Sequence, residues 1–165
     1  MHFYRFLYII KEYKQNRLTK YASLAKRGNF MLISSKGRYT LYVLVDLAKN
    51  GQNRYIPLKE IAERQNISKK YMEGILKTLV DRNLLEGVKG KGGGYKLTKE
   101  PKDYSLGEIL RLTEGDLASV PCTSKTHEHC NHMESCPSHP IWQQLDSLIN
   151  NYLDGVTLAD LLKNT

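Results

Sequence analysis

The sequence has no long apolar run. A transmembrane helix needs about 20 consecutive apolar residues, whereas FYRFLYII at residues 3–10 is much shorter and is interrupted by Arg5. This stretch also lacks the small-residue cleavage site of a secretory signal. We therefore expect no membrane partner.

Cysteine is scarce and confined to one place. The chain has 3 Cys and 5 His. The stretch CTSKTHEHCNHMESCPSHPIW, residues 122–142, contains every cysteine and every histidine except His2. An odd number of cysteines argues against a closed disulfide framework. We expect a cytoplasmic protein whose thiols are free or bound to metal, because a reducing compartment keeps thiols unpaired.

Acidic residues are few in the first hundred positions. Residues 1–30 carry 7 Lys and Arg against 1 Glu, and residues 31–100 carry 14 against 7 Asp and Glu. Residues 101–165 carry 4 against 9. Excess positive charge favours a polyanionic partner. The distribution predicts a DNA-binding domain over 31–100 and a ligand loop with dimerisation helices over 101–165.

The first thirty residues differ from the rest of the chain. Residues 1–30 contain all 3 Phe, and Met31 opens a regular pattern. One interpretation is a non-native extension before a biological start at Met31. The other is a flexible basic arm that helps to hold DNA. We favour the first, and mass spectrometry of the native N-terminus would decide between them.

Three amphipathic helices are predicted in the basic half. Apolar residues recur at helical spacing over 38–50, and Gly51 ends this helix. The second helix is short and begins at Pro57. Ser68 is a suitable N-cap for the third, over 69–83, whose apolar face is opposite a polar, basic face. Two helices joined by about three residues are typical of a helix-turn-helix.

A glycine-rich hairpin is predicted next, in LLEGVKGKGGGYKLTK at residues 84–99. The predicted fold is mainly α with a small β wing: a winged helix-turn-helix followed by a long C-terminal helix. The alternative is a three-helix core with a solvated charged face. A phosphate loop is not predicted, because the order G-x-x-x-x-G-K-[ST] is absent and a strand follows the glycines.

Residues 118–139 have almost no apolar periodicity and are predicted to form a ligand loop. Its cysteines follow C-x7-C-x5-C, and a histidine follows after two residues. Thiolates and imidazole suit zinc, copper(I) or an iron–sulfur cluster. Structural zinc usually uses closely spaced cysteine pairs, so the wide gaps favour a larger group, and three thiolates with one imidazole can complete a two-iron cluster. Free thiols without metal remain an alternative. The candidate ligands are Cys122, Cys130, Cys136 and His139. Most of the remaining loop histidines, His127, His129 and His132, are expected to be solvated.

A short helix is predicted over 105–117 and a longer amphipathic helix from Pro140, with His139 as its N-cap. A long apolar face has little left to cover within a small winged-helix domain. A two-fold dimer matched to a palindromic DNA site is therefore favoured. The alternative is a monomer in which this helix packs on 105–117. The predicted dimer contacts are Ile141, Leu145, Leu148, Ile149 and Tyr152.

Several stretches together resemble a known family. MLISSKGRYTLYVLVDLA, the IAERQNIS connection, VKGKGGGYKL in the wing, and CPSHPIWQQL leading to VTLADLL are similar to the Rrf-type winged-helix transcriptional regulators. The similarity is closest to the iron–sulfur cluster regulator (IscR-like) branch and covers residues 31 to about 162. It implies a homodimeric repressor or activator that binds a double-stranded DNA operator. It also implies a [2Fe-2S] cluster held by Cys122, Cys130, Cys136 and His139.

The chain departs from this branch at three places. The gap between its first two cysteines is longer than usual in the branch. Lys89 stands where the wing often carries Arg, and Lys cannot form the two-pronged contact that Arg makes. Gly74 stands where the recognition helix often carries a longer polar side chain.

The basic face and the resemblance together predict the DNA contacts. The third helix would enter the major groove, with Glu73 accepting from a cytosine amine or excluding other bases. Lys36 and Arg38 would bind backbone phosphate, and the wing would reach phosphate or the minor groove. The predicted set is Lys36, Arg38, Ser68, Lys69, Lys70, Tyr71, Glu73, Lys77, Lys89 and Lys91.

The sequence also allows two alternative functions. One is a zinc- or thiol-based regulator of the same fold without a cluster. The other is an iron–sulfur electron-transfer protein, for which a basic helix-turn-helix has no use. No nucleophile and base are paired in the sequence, so we expect neither catalysis nor a small-molecule substrate.

Overall fold

The computed structural model describes residues 33–51, 54–126 and 130–163. The described fold is mainly α with one antiparallel hairpin, which confirms the predicted fold class. The predicted N-terminal extension, His127 and His129 lie outside the described residues. In chain order the elements are α1 (Ser35–Asn50), α2 (Leu58–Gln65), α3 (Lys69–Asp81), β1 (Leu85–Val88), β2 (Gly94–Leu97), α4 (Leu106–Glu114), α5 (His139–Gly155) and α6 (Leu158–Lys163), with 3₁₀ turns at Pro101–Asp103 and Pro121–Thr123.

Helix α1 starts three residues earlier than its apolar pattern predicts. The hydroxyl of Ser34 accepts from the backbone N–H of Gly37 at 3.2 Å, so the helix begins at Ser35. At the other end, Gly51 donates its N–H to the Leu47 carbonyl at 2.8 Å and ends the helix as predicted. A side-chain cap, which periodicity does not detect, sets the first boundary.

Helices α2 and α3 form the predicted helix-turn-helix. Asn66 follows α2 in a left-handed conformation with φ of 53°, which Asn tolerates better than most residues and which turns the chain. Ser68 caps α3, and its hydroxyl accepts from the Tyr71 N–H at 3.3 Å. The predicted N-cap is therefore confirmed, and α3 ends at Asp81, two residues before its predicted end.

The hairpin is antiparallel, with Val88 opposite Gly94 at its outer end. Ile56, which precedes α2, pairs with Tyr95 of β2, and each N–H donates to the other's carbonyl at 2.9 Å. A Cβ on Gly94 would overlap the carbonyl oxygen of Ile56, so only glycine permits this approach. The wing is thereby fixed to the segment between α1 and α2.

One apolar core joins both halves of the chain. Buried side chains of α1, α2, α3 and β1 pack with Tyr104, Ile109 and Leu158, which lie beyond residue 100. Each large apolar side chain in such a core contributes about 1.5–3 kcal/mol relative to an exposed one. The core includes residues from both sides of residue 100. The predicted division into a DNA-binding domain over 31–100 and a ligand and dimerisation region over 101–165 therefore stays a prediction.

Tyr104 is the polar anchor of this core. Its hydroxyl accepts from the N–H groups of Thr98 and Lys99 at 2.9 and 3.0 Å and donates to the carbonyl of Leu84 at 2.8 Å. The ring is fully buried. A buried hydroxyl must be hydrogen-bonded, and here its bonds hold the end of β2 against the residue that leads into β1.

Helices α4 and α5 flank the predicted ligand loop. Helix α4 lies within the predicted range of 105–117 and ends at Gly115, whose φ is 82°. Helix α5 begins at His139 with Ser138 as its N-cap, so the prediction of His139 as N-cap is wrong by one residue. Pro140 tolerates the second helical position because N–H groups of the first turn have no acceptor within the helix. None of the described helices combines the length and apolar character needed to cross a membrane.

Candidate functional site

The outer face of α3 is exposed and positively charged. Lys69, Lys70 and Lys77 are exposed, and Glu73 lies between the last two. None of the ion pairs among the described residues involves these lysines. Unpaired cations on a helix of this motif can neutralise phosphate without first breaking an internal ion pair.

The N-terminal turn of α1 lies beside the start of α3. The rings of Tyr39 and Tyr71 meet edge to face with their centroids 5.8 Å apart. Lys36 and Arg38 belong to the same turn of α1, and Arg38 is exposed. The sequence prediction included Tyr71 but missed Tyr39, whose helical spacing indicated only a core position.

The wing carries its two predicted lysines on an exposed turn. Lys89 and Lys91 are both exposed, as their neighbours Gly90 and Gly92 are. These glycines have φ of 99° and 81°, a region that favours glycine. The Gly93 N–H donates to the Gly90 carbonyl at 3.1 Å and closes the turn. The predicted hairpin turn therefore accounts for the glycine run.

An ion pair between a buried carboxylate and a partly exposed guanidinium connects α1 with the helix-turn-helix. Asp46 is 3% exposed, although it lies within the apolar face of α1. Burial acts to raise the pKa of Asp46, but hydrogen bonds from Arg64 and Gln65 outweigh it and lower the pKa below its ordinary value. The residues predicted from the sequence did not include this pair. A carboxylate inside an apolar stripe was the available signal.

Cys122 lies in the 3₁₀ turn Pro121–Thr123, which two aspartates hold. The carboxylate of Asp116 accepts from the Ser124 hydroxyl and the Lys125 N–H, both at 2.7 Å. Burial acts to raise the pKa of Asp116, but these hydrogen bonds lower it. The second carboxylate is that of Asp146 on α5, which accepts from the Ser119 N–H at 2.7 Å. The loop segment around Cys122 is therefore closed on itself and attached to α5.

Cys136 and His139 lie within one turn at the start of α5. The His139 N–H donates to the carbonyl of Cys136 at 3.3 Å. The Cys136 thiol is 3.3 Å from the Ser138 hydroxyl. Hydrogen bonds from the hydroxyl and the N–H of Ser138 lower the pKa of Cys136, which favours the thiolate that metals bind. His139 is buried, and none of the described residues provides a hydrogen-bond partner for its Nδ1.

The four predicted ligands are not assembled into one site. All three cysteines are free and half-buried. Across residues 33–51, 54–126 and 130–163, no group of three His, Cys, Asp or Glu side chains is placed to hold a metal ion. His132 is exposed, in agreement with its predicted solvation. The donor types and the unpartnered Nδ1 of His139 nevertheless fit a group bound by thiolate and imidazole, because buried polar atoms normally have partners.

Helix α4 connects the ligand loop to the N-terminus of α1. Arg111 donates to both carboxylate oxygens of Asp154 on α5, at 2.7 and 2.8 Å, and to Asn150 at 2.8 Å. At the end of α4, Glu114 accepts from the N–H and the hydroxyl of Ser34 at 3.2 and 2.8 Å. The residue that caps α1 is thus held by the helix that leads into the loop, a connection that sequence reasoning did not find.

Helix α5 leaves an apolar stripe uncovered. The exposed fractions of Ile141, Leu145, Leu148 and Tyr152 are 59%, 37%, 67% and 71%. Their spacing of four, three and four residues places them along one line of the helix. Ile149, the fifth predicted dimer residue, is only half-exposed. Another face of α5 packs on α4 through Arg111, so the helix contacts its own chain and still presents an apolar stripe.

Comparison with known proteins gives a consistent result. The family model Rrf2, described as an iron-dependent transcriptional regulator, matches residues 33–164. The HTH-type transcriptional regulator IscR of Aliivibrio salmonicida (strain LFI1238) is 34% identical over 132 residues, which cover 80% of this chain and 77% of the relative.

Solved structures show the same fold. CymR (YrzC), the global cysteine regulator of B. subtilis, aligns with a TM-score of 0.68 at 31% identity, covering 82% of this chain and 99% of CymR. T. potens IscR aligns with a TM-score of 0.62 at 33% identity, covering 81% of this chain and 87% of its own. The winged helix-turn-helix is therefore the shared architecture, and the relatives are transcriptional regulators.

Proposed function

The chain belongs to the Rrf2 family of transcriptional regulators, and we propose that it acts as a homodimer that senses iron–sulfur or redox status through a [2Fe-2S] cluster. The relatives' role as regulators implies DNA binding. The specific contacts, the dimer and the cluster are parts of the proposal.

The lysine-rich face of α3 supports the DNA contact. Lys70 and Lys77 lie one helical turn from Gly74 on either side, and Glu73 is beside it. In this arrangement the lysines bind phosphates that flank the groove, and Glu73 reads a base edge. Lys36 and Arg38 extend the cationic surface at α1, and the wing extends it at Lys89 and Lys91.

The unpartnered Nδ1 of His139 is the observation that carries the cluster proposal. An imidazole nitrogen buried without a hydrogen bond is costly, and a metal ion would satisfy it. His139 follows Cys136 within the same turn, while Cys122 and Cys130 come from the loop. A bound [2Fe-2S] cluster supplies a redox-active centre whose presence reports iron and sulfide supply. The chain's own residues would orient the ligands: Ser138 at the Cys136 thiol, and Asp116 and Asp146 at the Cys122 turn.

The apolar stripe of α5 supports a dimer. A second copy of α5 would cover Ile141, Leu145, Leu148 and Tyr152, which a single chain leaves in water. Two-fold pairing would place two α3 helices for two half-sites of a palindromic operator. Because α5 begins at two of the proposed ligands, cluster binding would bias the geometry of this pair.

A regulator that uses thiols or zinc without a cluster is the second candidate. It is favoured by the separation of the ligands in the described structure and by the lowered pKa of Cys136. A low thiol pKa raises the thiolate fraction and with it the reactivity toward oxidants.

Anaerobic purification with absorbance, iron, sulfide and zinc analysis separates these two candidates. The cluster proposal expects a coloured protein with two iron and two sulfide per chain. It also expects loss of colour in Cys122→Ala and altered absorbance in His139→Ala. His132→Ala is the matched control and should retain the wild-type spectrum. A colourless wild type, with zinc or with no metal, would reject the cluster.

DNA binding is tested by selection from a pool of random duplexes. The wild type should enrich a palindromic sequence, and Lys70→Ala should weaken binding to the enriched duplex. Failure to enrich any sequence in both the metal-loaded and the metal-free forms would count against the proposed operator binding.

A further inference from the structure

Gly74 lies in the middle of α3, where the fold gives no reason for glycine. Its φ is not positive, in contrast to Gly90 and Gly92. It is exposed, and a Cβ built on it would meet no atom of the described residues within 4 Å. Glycine inside a helix is destabilising relative to alanine because it loses more backbone entropy on folding. No described residue therefore requires glycine at this position, whereas a partner that approaches α3 closely would.

Other glycines in described helices have visible reasons. A Cβ on Gly37 would overlap the carboxylate of Glu114, and a Cβ on Gly107 would overlap that of Asp154. Gly155 also has open space around it, but it ends α5, where glycine is common. Gly74 differs from all of these, because it is unobstructed and lies inside its helix.

The position of Gly74 indicates what approaches it. It lies on the line of α3 that contains Lys70 and Lys77, one turn before and one turn after it. Both lysines are exposed and take part in none of the ion pairs found among the described residues. In a helix-turn-helix the N-terminal part of the second helix contacts the base edges, and Gly74 is the sixth residue of α3.

We propose that Gly74 sets how deeply α3 enters the DNA major groove, by letting the helix backbone come closer to the base edges than a side chain would permit. The major groove is about 12 Å wide, and a helix with its side chains is about 10–12 Å across. A helix with its side chains therefore fills almost the full width of the groove. A bare backbone at its deepest point brings the neighbouring Glu73 within reach of a base and the two lysines onto flanking phosphates. This inference rests on the proposed function, since it assumes that α3 is the recognition helix.

Gly74→Ala tests the inference through two effects of opposite sign. The variant should unfold at higher temperature than the wild type, because alanine is the better helix former and has room. It should bind a duplex enriched by the wild type roughly tenfold or more weakly, as expected when one base contact is lost. Gly155→Ala, the matched control, should bind this duplex like the wild type.

Three outcomes are distinguishable. If Gly74→Ala binds the duplex with the same affinity as the wild type, the inference is overturned. A lower unfolding temperature of Gly74→Ala also overturns it, because the fold itself would then need this glycine. If Lys70→Ala still weakens binding in either case, the recognition helix stands and only the role of Gly74 is rejected. If the wild type enriches no sequence, the proposed operator contact and this inference fall together.

Discussion

Arg64 donates to both carboxylate oxygens of Asp46, from Nη2 at 2.6 Å and from Nε at 2.8 Å. The pair joins α1 to α2 and so fixes the first helix of the helix-turn-helix against the core. The side chain of Asp46 is 2% exposed and that of Arg64 is 34% exposed. This difference in exposure determines which substitution lowers the free energy of unfolding more.

Arg64→Met should destabilise the protein more than Asp46→Asn. Removing Arg64 leaves the buried carboxylate with Gln65 as its remaining side-chain donor, and the loss of such a partner costs about 1–3 kcal/mol. Asparagine at position 46 leaves Arg64 able to reach water and retains an acceptor oxygen. Urea unfolding measures both differences. Arg54→Met is the control, because its exposed pair with Glu60 should contribute less than about 1 kcal/mol. Equal costs for all three variants would contradict the structural role given to Asp46.

Acid should remove the contribution of Asp46. Its pKa in the folded protein lies below the ordinary value of about 3.9. A depressed carboxylate pKa stabilises the fold above the unfolded pKa, and this stability is lost as pH falls through the folded pKa. The difference in unfolding free energy between wild type and Asp46→Asn should therefore be constant from neutral pH down to about 5. It should then shrink below about 4. A difference that grew in acid would show the opposite sign and refute the assignment.

The salt dependence of DNA binding should report the lysines of α3. Each phosphate contact that is lost reduces the slope of log affinity against log salt by about 0.9. Lys77→Ala should therefore flatten this slope by about one contact. Lys163→Ala removes the same charge from α6, where Lys163 already pairs with Asp160 at 2.7 Å, and should leave the slope unchanged. Identical slopes for the two variants would place Lys77 outside the interface.

Removal of the Asp116 carboxylate should open the turn that carries Cys122. In the metal-free protein, Asp116→Ala should increase the rate of alkylation of Cys122, measured by mass spectrometry of labelled peptides. The reason is that the Ser124 hydroxyl and the Lys125 N–H lose their shared acceptor. Glu108→Ala, which removes an exposed carboxylate paired with Lys99, is the control and should not change this rate. An unchanged rate in Asp116→Ala would mean that these hydrogen bonds do not hold the turn.

A charge on the exposed stripe of α5 should separate the proposed dimer. Leu148 is 67% exposed in the single chain, so Leu148→Glu should leave the monomer folded while burying an unpaired charge in a dimer. Sedimentation would then show a monomer, with wild-type circular dichroism. Gln143→Glu adds the same charge to another face of α5 and should remain dimeric. A monomeric wild type would reject the dimer itself.

Local signals predicted much of the fold. Ser68 before an amphipathic run predicted the start of α3, and Gly51 predicted the end of α1, because caps act within one turn of the chain. The strand–glycine–strand pattern predicted the wing. The start of α5 was off by one residue, since a proline fits either of the first two helical positions.

The amino-acid order alone predicts the set of elements and the chemical groups available: a basic helix α3, a wing, and three thiols and an imidazole within residues 122–139. These follow from periodicity and capping, which depend on neighbours a few residues apart. Three features are visible only in the folded chain: the pairing of Asp46 with Arg64, the attachment of Glu114 to Ser34, and the carboxylates that hold the turn of Cys122. These contacts join residues between 8 and 80 positions apart. The conformational preferences of the individual residues do not predict them, because the folding of the whole chain brings the partners together.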